Sequence, residues 1–322
     1  MGKRTYSVVI ATYNGEMFVE EQIQSILNQT IKPDEIIISD AHSSDETIQI
    51  CKKLADNNKE IKWIILQDEQ QLCVSKNFEK GWSYATSDYV FFADQDDVWL
   101  PNKIEKFDEC ISKYNCGLVF SNATLVDQNL APIGGTLWDF VGYNNSHNIV
   151  YHKGDLKLSN IVLNHNIITG MSICIKNDLK KLILPFSEKG LHDLWIALLA
   201  PCYCDTISLN QECVLYRQHN SNQVGAKKNL KYSYKKRYSY FERVKNRRDL
   251  YIEAKKRLTS NSELYILLQN AIDYYDNRIA FIGGKMGILK LLGQYKSYKI
   301  FDDNPIKTFL KDVYYRSFVK KK

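Results

Sequence analysis

The sequence predicts an α/β fold in which a mostly parallel sheet is covered by helices. Short runs rich in Val, Ile and Phe alternate with helix-like segments through the first half of the chain. These runs are continuously apolar, which is typical of parallel strands that are buried on both faces. The fourth run, 89–93, stops at three carboxylates, Asp94, Asp96 and Asp97. Open α/β sheets bind their ligands at the carboxyl ends of strands, so these acids indicate a ligand site.

The first half contains four predicted strands and the helices between them. The strands are 6–11, 35–40, 61–66 and 89–93, and the helices are 16–29, 45–54, 75–84 and a fourth from Pro101. Apolar residues in the first helix recur at Phe18, Ile23, Ile26 and Leu27, which gives one buried helical face. Ser43 or Ser44 is the expected cap of the second helix.

The second half has a less regular pattern. It predicts strands at 118–121, 167–175 and 207–218, short helices near 178–182 and 191–200, a polar loop over 127–152, and helical periodicity over about 230–300. The predicted domains are therefore 1–226, with a nucleotide-binding half at 1–115 and a second half at 116–226, followed by a basic, Tyr-rich and mainly helical extension at 227–322.

Charge is distributed unevenly along the 322 residues. Residues 1–226 contain 19 Lys and Arg against 28 Asp and Glu, whereas residues 227–322 contain 24 against 9. Two interpretations of the basic extension stay open: a helical hairpin packed on the core, with lysine stems over apolar surface, or an interfacial segment that binds anionic lipid. Neither a nucleic-acid-binding module nor a Gly-rich phosphate loop accompanies the basic residues, so we expect no nucleic-acid partner.

The cysteines and the apolar runs bear on the cellular location. Eight scattered cysteines without a CxxC pair favour free thiols, mostly buried, in a reducing compartment. No run approaches 18 apolar residues, so a membrane-spanning helix is not expected. We expect a cytoplasmic protein, with a peripheral position at the inner face of the cytoplasmic membrane as an option.

The three carboxylates after the fourth strand need a partner. Acids this close repel one another unless a divalent cation or a metal-bound polyphosphate shares their field. The alternative is an acidic loop in which Asp97 caps the helix at Pro101. A cap requires one acid rather than three, so the sequence predicts a metal-assisted nucleotide site.

Taken together, the polar motifs resemble the inverting family 2 glycosyltransferases of GT-A fold, in the bacterial rhamnosyltransferase-like branch. The resemblance covers about residues 5–226. The motifs that carry it, in order, are Ala11-Thr12-Tyr13-Asn14-Gly15, Ser39-Asp40 with Ser43-Ser44-Asp45, Lys76-Asn77-Phe78, Asp94-Gln95-Asp96-Asp97-Val98-Trp99, His192-Asp193 and Tyr216-Arg217-Gln218-His219-Asn220.

The resemblance implies a set of donor-binding residues. They are Thr12, Tyr13, Glu16, Asp40, Asn77, Asp94, Gln95 and Arg217. Asp40 would accept from the N–H of a pyrimidine ring, although Ala41-His42 replaces the acidic-glycine pair usual after it. Arg217 would pair with the diphosphate or else anchor its loop.

The resemblance also implies the remaining roles. Asp96 and His219 would bind Mn²⁺ or Mg²⁺, because oxygen-rich open sites suit hard cations. Asp193 would be the general base, with a favourable charge at a helix N-terminus as the structural alternative. The candidate acceptor-binding residues are Trp138, Gly170, Met171, His192 and Trp195, whereas Trp82 and Trp99 are expected in the core.

The predicted function is transfer of a sugar from a nucleotide-sugar donor, dTDP-rhamnose or a UDP-hexose, to a carbohydrate acceptor. A lipid-diphosphate-linked oligosaccharide in bacterial surface polysaccharide synthesis, such as O-antigen or capsule, is the favoured acceptor. One alternative is a nucleotidyltransferase, which would usually carry a Gly-rich loop after the first strand. Another is a non-catalytic sugar-nucleotide-binding or scaffold protein.

Overall fold

The computed structural model describes residues 3–219, 234–260, 262–302 and 304–319. Side chains are described from residue 240 in the second of these ranges and up to residue 317 in the last. Asn220 of the last motif and residues 231–233 of the Lys- and Tyr-rich segment lie outside the described residues. The chain divides into two compact units: Met1–Asp155 with Ile167–Lys227, and Leu156–Asn166 with Lys228–Lys322.

The first unit contains all ten strands found in the described residues. Its elements are β1 (Tyr6–Thr12), α1 (Val19–Leu27), β2 (Glu35–Asp40), α2 (Thr47–Asn57), β3 (Lys62–Gln67), α3 (Val74–Tyr84), β4 (Tyr89–Asp94), β5 (Val98–Trp99), α4 (Lys103–Tyr114), β6 (Leu118–Asp127), β7 (Pro132–Thr136), α5 (Leu137–Val141), β8 (Ile149–Tyr151), β9 (Ile173–Lys176), α7 (Lys180–Ile183), α8 (His192–Leu199) and β10 (Thr206–Gln218). One helix of the second unit, α6 (Leu156–Asn164), interrupts this series.

The strands form one sheet in the order β3-β2-β1-β4-β9-β6-β10-β5, with β7 on β6 and β8 on β10. The four strands of the first half pair in parallel. The apolar residues of β1, β2 and β4 are almost all buried, as expected for strands covered by helices on both faces, whereas those of the edge strand β3 are half-buried. The α/β class predicted from the continuous apolar runs is confirmed.

The position of the site follows from the strand order. From β1 the chain moves to β2 and β3 on one side and then returns to β4 on the other side of β1. The carboxyl ends of β1 and β4 therefore meet at a switch point of the sheet, where loops diverge and leave a crevice. Ala11 of β1 pairs directly with Asp94 of β4, so the acidic segment and the turn after Thr12 are neighbours.

Several elements differ from the predictions. The first helix begins at Val19 rather than residue 16, because residues 15–18 form a turn closed by the bond from the Phe18 N–H to the Gly15 carbonyl. The predicted strand 167–175 is a strand only from Ile173, after a 3₁₀ turn over Gly170–Ser172. The predicted loop 127–152 contains β7, α5 and β8, whose short and glycine-rich sequences carry little periodicity. Two predicted helix caps are also wrong: α2 begins after Glu46, and Asp97 bonds the backbone of Arg217.

The second unit is helical in its described residues. Its helices are α6 (Leu156–Asn164), α9 (Tyr234–Lys255), α10 (Glu263–Ile282), α11 (Ile288–Gly293), α12 (Tyr295–Phe301) and α13 (Pro305–Val319). An ion pair between Arg278 and Asp312, 2.8 Å long, lies in its core with the hydroxyls of Tyr240 and Tyr298 donating to the same carboxylate. The sequence did not predict that α6, which precedes β9, packs with these C-terminal helices.

Two further expectations concern the whole chain. All eight cysteines are free thiols; five are buried, Cys202 and Cys204 are half-buried, and Cys73 is exposed. Across the parts of the chain that the structure describes, no helix combines the length and the apolar character needed to cross a membrane.

Candidate active site

The first part of the site is a hydrogen-bonded cluster at the ends of β1 and β2. Thr12 and Asp40 are register partners, and the Thr12 hydroxyl donates to Asp40 Oδ1 at 2.8 Å. The backbone N–H of Ser43 donates to the other carboxylate oxygen at 2.8 Å. The Asn77 amide donates to the Thr12 carbonyl at 3.1 Å. Asp40 is fully buried, so here it fixes the loop that follows β2, and its contact with a nucleobase stays a prediction.

The turn after β1 is held by a side chain of the acidic motif. Gln95 accepts from the Tyr13 N–H at 2.8 Å and donates to the Tyr13 carbonyl at 3.0 Å. An added Cβ at Gly15 would lie 2.2 Å from Gln95 Oε1, so a side chain at this position would displace Gln95 from the Tyr13 backbone. Tyr13 is half-buried and keeps part of its ring accessible, as stacking on a base requires. Glu16 accepts from the backbone N–H of Glu46 at 3.0 Å, which makes it a brace between two loops in this structure.

The three carboxylates after β4 occupy different environments. Asp94 ends the strand, and burial, followed by the charges of Asp96 and Asp193, raises the pKa of Asp94 to about 7. Asp97 is fully buried, and burial followed by the charges of Asp96 and Asp94 raises its pKa well above the ordinary value. The charge of Asp193 helps to raise the pKa of Asp94, so these two carboxylates interact although they lie almost one hundred positions apart in the sequence.

Asp96 and His219 form the pair that is suited to a metal ion. His219 Nε2 lies 2.7 Å from Asp96 Oδ2. The side chain of His219 is 10% exposed and that of Asp96 is 15% exposed. The His219 ring packs on Phe18, with centroids 4.8 Å apart, which fixes its orientation. The structure therefore brings together the two residues predicted as metal ligands.

The donor set also fits the predicted class of metal. Within the described residues, no group of three or more His, Cys, Asp or Glu side chains could hold a metal ion. A site with one carboxylate and one imidazole leaves most coordination positions to other oxygens. Mg²⁺ and similar hard cations are commonly held this way, by one or two protein ligands together with substrate phosphates and water.

Arg217 has an anchoring geometry. Its backbone N–H donates to Asp97 Oδ1 at 3.0 Å, and its Nε donates to the Asp96 carbonyl at 2.6 Å. The guanidinium also bonds the Gln128 carbonyl and Glu21, and lies 4.5 Å from the centre of the Phe18 ring. Of the two roles left open by the sequence, the structure favours loop anchoring, because these partners already engage the nearly buried cation.

Sequence reasoning missed Lys103, a lysine at the start of α4. It is fully buried, donates to the Met171 carbonyl at 2.6 Å and lies 3.7 Å from the centre of the Trp99 ring. Burial lowers its pKa to about 7, while the charges of Asp97 and Asp94 act in the opposite direction. A lysine in the first turn of a helix ordinarily indicates a solvated position, so no sequence signal marked it.

Asp193 lies in the first turn of α8 and is 6% exposed. Its Oδ1 accepts from the N–H of Leu194, which orients the carboxylate at the helix N-terminus. The negative charge is favourable there, as the structural alternative holds. The charge of Asp193 also raises the pKa of Asp94, so Asp193 lies near the acidic end of β4. A favourable charge at a helix N-terminus does not explain that location.

His192 lies in an aromatic enclosure rather than on an acceptor-facing surface. Its ring centroid is 4.1 Å from that of Phe78 and 5.6 Å from that of Phe92, and a Cβ at Gly170 would be 2.5 Å from its Nε2. It is 4% exposed, and within the part of the chain that the structure describes neither ring nitrogen has a hydrogen-bond partner. The predicted acceptor contact of His192 would need an exposed ring, which this structure does not provide.

We expect His192 to make the protein sensitive to acid. Burial lowers the pKa of His192 to about 3, whereas an unfolded histidine titrates near 6.5. The unfolded state therefore binds more protons between these values, and the free energy of unfolding falls as the pH drops from about 6.5 towards 3. In His192→Leu this acid-side slope should decrease, and stability at pH 7 should rise or stay within about 1 kcal/mol, because two unpaired buried nitrogens are removed. Urea unfolding from pH 4 to 8 measures the slope and the stability at pH 7. An unchanged slope in His192→Leu would show that His192 is not the source of the acid sensitivity.

The other predicted acceptor residues are also buried. Trp195 is 2% exposed and its indole N–H donates to the Ile183 carbonyl at 2.8 Å, and Gly170 and Met171 form a buried turn. Every residue of α8 is buried, so Trp195 lies in the core. Trp138 is 2% exposed but lines an open cavity of about 320 Å³ together with polar residues of the 136–146 segment, and its indole N–H has no partner. It is the one candidate of this group that borders a described cavity.

The chain is similar in sequence to glycosyltransferases. Residues 7–182 match the family described as Glycosyl transferase family 2. The dTDP-rhamnosyl transferase RfbG of Shigella flexneri is 29% identical over 235 residues, which is 70% of this chain and 77% of that protein. The UDP-Glc:alpha-D-GlcNAc-diphosphoundecaprenol beta-1,3-glucosyltransferase WfgD of Escherichia coli is 24% identical over 67% of this chain and 78% of its own length.

Solved structures share the fold. The structure of S. aureus TarS 1-349 in complex with UDP-GlcNAc has a TM-score of 0.62 and 14% identity, over 98% of this chain and 90% of that one. The mannosyltransferase PcManGT from Pyrobaculum calidifontis in complex with GDP-Man and Mn²⁺ has a TM-score of 0.53 and 13% identity, over 99% and 87%. These likenesses confirm the predicted GT-A fold with its C-terminal helices.

Proposed function

Because the chain belongs to glycosyl transferase family 2 and is a glycosyltransferase, we propose that it catalyses a metal-dependent transfer with inversion at the anomeric carbon. The observation that carries this proposal is the Asp96–His219 pair at the sheet switch point, with Asp193 in the electrostatic neighbourhood of the same carboxylate segment. A pair of metal-ligand type beside a separate carboxylate is what such a transfer requires: one group for the leaving diphosphate and one for the incoming hydroxyl.

The donor would bind along the carboxyl ends of β1 and β4. The half-buried Tyr13 ring offers a stacking surface for the base, and the Gln95 clamp keeps the Tyr13 backbone in place. Asp94, at the end of β4, lies next to Ala11 and is the acid closest in register to this turn. Thr12, Asp40 and Asn77 support the turn from below through their buried hydrogen bonds.

Asp96 and His219 would hold Mn²⁺ or Mg²⁺ together with donor phosphate oxygens. The bound cation supplies neutralisation of the negative charge that develops on the departing nucleoside diphosphate. Arg217 keeps both ligands in position, since it bonds the Asp96 carbonyl and belongs to the strand that leads directly into His219.

Asp193 would act as the general base. In the reaction the bond between the anomeric carbon and the phosphate oxygen breaks while the acceptor oxygen bonds to the same carbon. The acceptor hydroxyl proton passes to the Asp193 carboxylate, and the bonding electrons leave with the diphosphate. Attack from the face opposite the leaving group inverts the configuration, and a carboxylate fixed at a helix N-terminus is suited to receive that proton.

The substrate classes come from relatives rather than from the geometry. RfbG is named a dTDP-rhamnosyl transferase and WfgD a glucosyltransferase that uses UDP-Glc and a diphosphoundecaprenol-linked sugar. We propose dTDP-rhamnose or a UDP-hexose as donor and a lipid-diphosphate-linked glycan as acceptor, in the synthesis of a surface polysaccharide such as O-antigen or capsule. The cavity beside Trp138 is the proposed position for part of the acceptor. An acceptor of this kind would place the enzyme at the inner face of the cytoplasmic membrane.

The test is donor binding and hydrolysis across a panel of sugar nucleotides, measured with Mn²⁺ and with a chelator. We expect one donor to bind in a metal-dependent manner and to be hydrolysed slowly without acceptor. Equal binding of all donors with and without metal would contradict both the metal role and the donor-site assignment.

A further inference from the structure

Exposed apolar side chains are concentrated on three short helices of the second unit. Of the thirteen large hydrophobic residues that are exposed in the described parts of the chain, seven lie between residues 288 and 314. They are Ile288, Leu289 and Leu292 on α11, Ile300 on α12, and Ile306, Leu310 and Tyr314 on α13. Leu289 is 82% exposed. Isolated surface leucines need no explanation, but such a concentration marks an interaction surface.

Helix α13 shows that the exposure follows a helical face. Ile306, Leu310 and Tyr314 are spaced by four residues and therefore lie on one side of the helix. On its other side Asp312 is fully buried and Tyr315 nearly so. The inner side contributes to the core of the unit through the Arg278–Asp312 ion pair, whereas Ile306 and Leu310 on the outer side are exposed.

The three helices belong to one packed group. The ring of Phe309 on α13 contacts that of Tyr298 on α12, with centroids 5.9 Å apart. The Arg316 guanidinium donates to the Met286 carbonyl, just before α11. The exposed apolar residues are therefore those that remain after the helices have packed on one another.

Cations surround these apolar residues. Lys285, Lys290, Lys296, Lys299 and Lys307 are all exposed. From residue 285 to 316 the sequence has six lysines and one arginine against three aspartates, and one of these, Asp312, is neutralised by Arg278 in the core.

We propose that the surface formed by the exposed apolar residues of α11, α12 and α13 and the lysines around them, hereafter the apolar–cationic face, binds an anionic lipid bilayer. Apolar side chains that enter the headgroup region, together with lysines that reach phosphate groups, are the two contributions that hold interfacial helices on membranes. A second copy of the chain fits less well, because a symmetric interface would bring the same lysines face to face.

The proposal deepens the membrane location given under the proposed function and names the surface responsible. It rests on that function only for the biological reason to approach a membrane. Lipid binding and sugar transfer have separate measurements, so either can fail without the other.

The test is flotation of the full chain with phosphatidylcholine vesicles that contain or lack phosphatidylglycerol. We expect binding only to the anionic vesicles. Lys290→Gln with Lys299→Gln should lower the partition coefficient about thirtyfold, from the attraction of an anionic surface for each cation. Leu289→Glu with Leu310→Glu should lower it by at least the same factor, because two apolar contacts are lost and two negative charges are added.

The matched control is Ile133→Glu with Leu182→Glu, two exposed apolar residues of the first unit, which should bind like the unmodified chain. Circular dichroism and donor hydrolysis verify that every variant is folded. Absence of binding to anionic vesicles, or full binding by Leu289→Glu with Leu310→Glu, would overturn the proposal. If sedimentation instead shows that this variant converts a dimer into a monomer while no chain binds vesicles, the face is a contact between copies.

Discussion

Asp193→Asn is expected to lower the rate of sugar transfer about a thousandfold while leaving donor binding within a factor of two. The amide has nearly the same shape as the carboxylate, and its oxygen can still accept from the Leu194 N–H. It cannot accept the proton of the acceptor hydroxyl, however, and loss of a general base typically costs 10²–10⁴ in rate. A thousandfold loss corresponds to about 4 kcal/mol of barrier. Single-turnover transfer and calorimetric donor titration measure the two quantities separately.

The control for this variant is Asp178→Asn. Asp178 also lies in the first turn of a helical segment, but it is exposed. Both substitutions remove a charge that is favourable to a helix N-terminus, so both should reduce stability by less than about 1 kcal/mol. Only Asp193→Asn should lose turnover. If it keeps more than a tenth of the transfer rate, the base is another residue and the contribution of Asp193 is that of a helix-terminal charge.

Asp96→Asn is expected to abolish the metal-dependent part of donor binding. The amide oxygen is a weaker ligand for a hard cation than a carboxylate, although it can still accept a hydrogen bond from His219. We expect donor affinity in Mn²⁺ to fall to the value measured with a chelator, and kcat/KM to fall at least about a hundredfold. Electron paramagnetic resonance of Mn²⁺ in the presence of donor provides a readout that does not depend on activity.

His219→Ala tests the second predicted ligand. The carboxylate ligand Asp96 remains in this variant and Arg217 still bonds its carbonyl, so Mn²⁺ binding should weaken less than in Asp96→Asn. His147→Ala, which changes an exposed histidine of the same unit, is the matched control and should behave like the unmodified chain. Metal-dependent donor binding that persists in Asp96→Asn would assign the ion to other ligands and leave the Asp96–His219 pair a structural contact.

Much of the fold could be predicted because the relevant signals are local. The continuous apolar runs of β1, β2 and β4 give both their type and their burial, and the acids that follow β4 mark the strand end that carries the site. By contrast, α6 offers nine residues with little pattern, and nothing local shows that it packs with helices that begin far later in the chain. The predicted strand 167–175 began too early for the same reason, because only pairing with β4 and β6 fixes the start of β9 at Ile173.

Whether a prediction about an individual residue agreed with the structure depended on the burial of that residue. The resemblance to family 2 glycosyltransferases implied Asp96 and His219 as metal ligands, and the structure brings them into contact. It also implied His192 and Trp195 as acceptor contacts, but both are buried. Lys103 was not predicted as a site residue because a lysine is expected to be exposed. Its burial results from tertiary packing against Trp99.

The sequence by itself determined the α/β class, the acidic strand end and the family, because apolar periodicity and short motifs are properties of neighbouring residues. Only the tertiary structure shows that the charge of Asp193 acts on Asp94 and that Arg217 anchors its loop. It also shows that most exposed apolar residues of the second unit lie on three helices. The physical reason is that burial, pKa and hydrogen-bond partners depend on which distant segments meet. Those meetings are fixed by the order of strands in the sheet and by helix packing, neither of which a local pattern encodes.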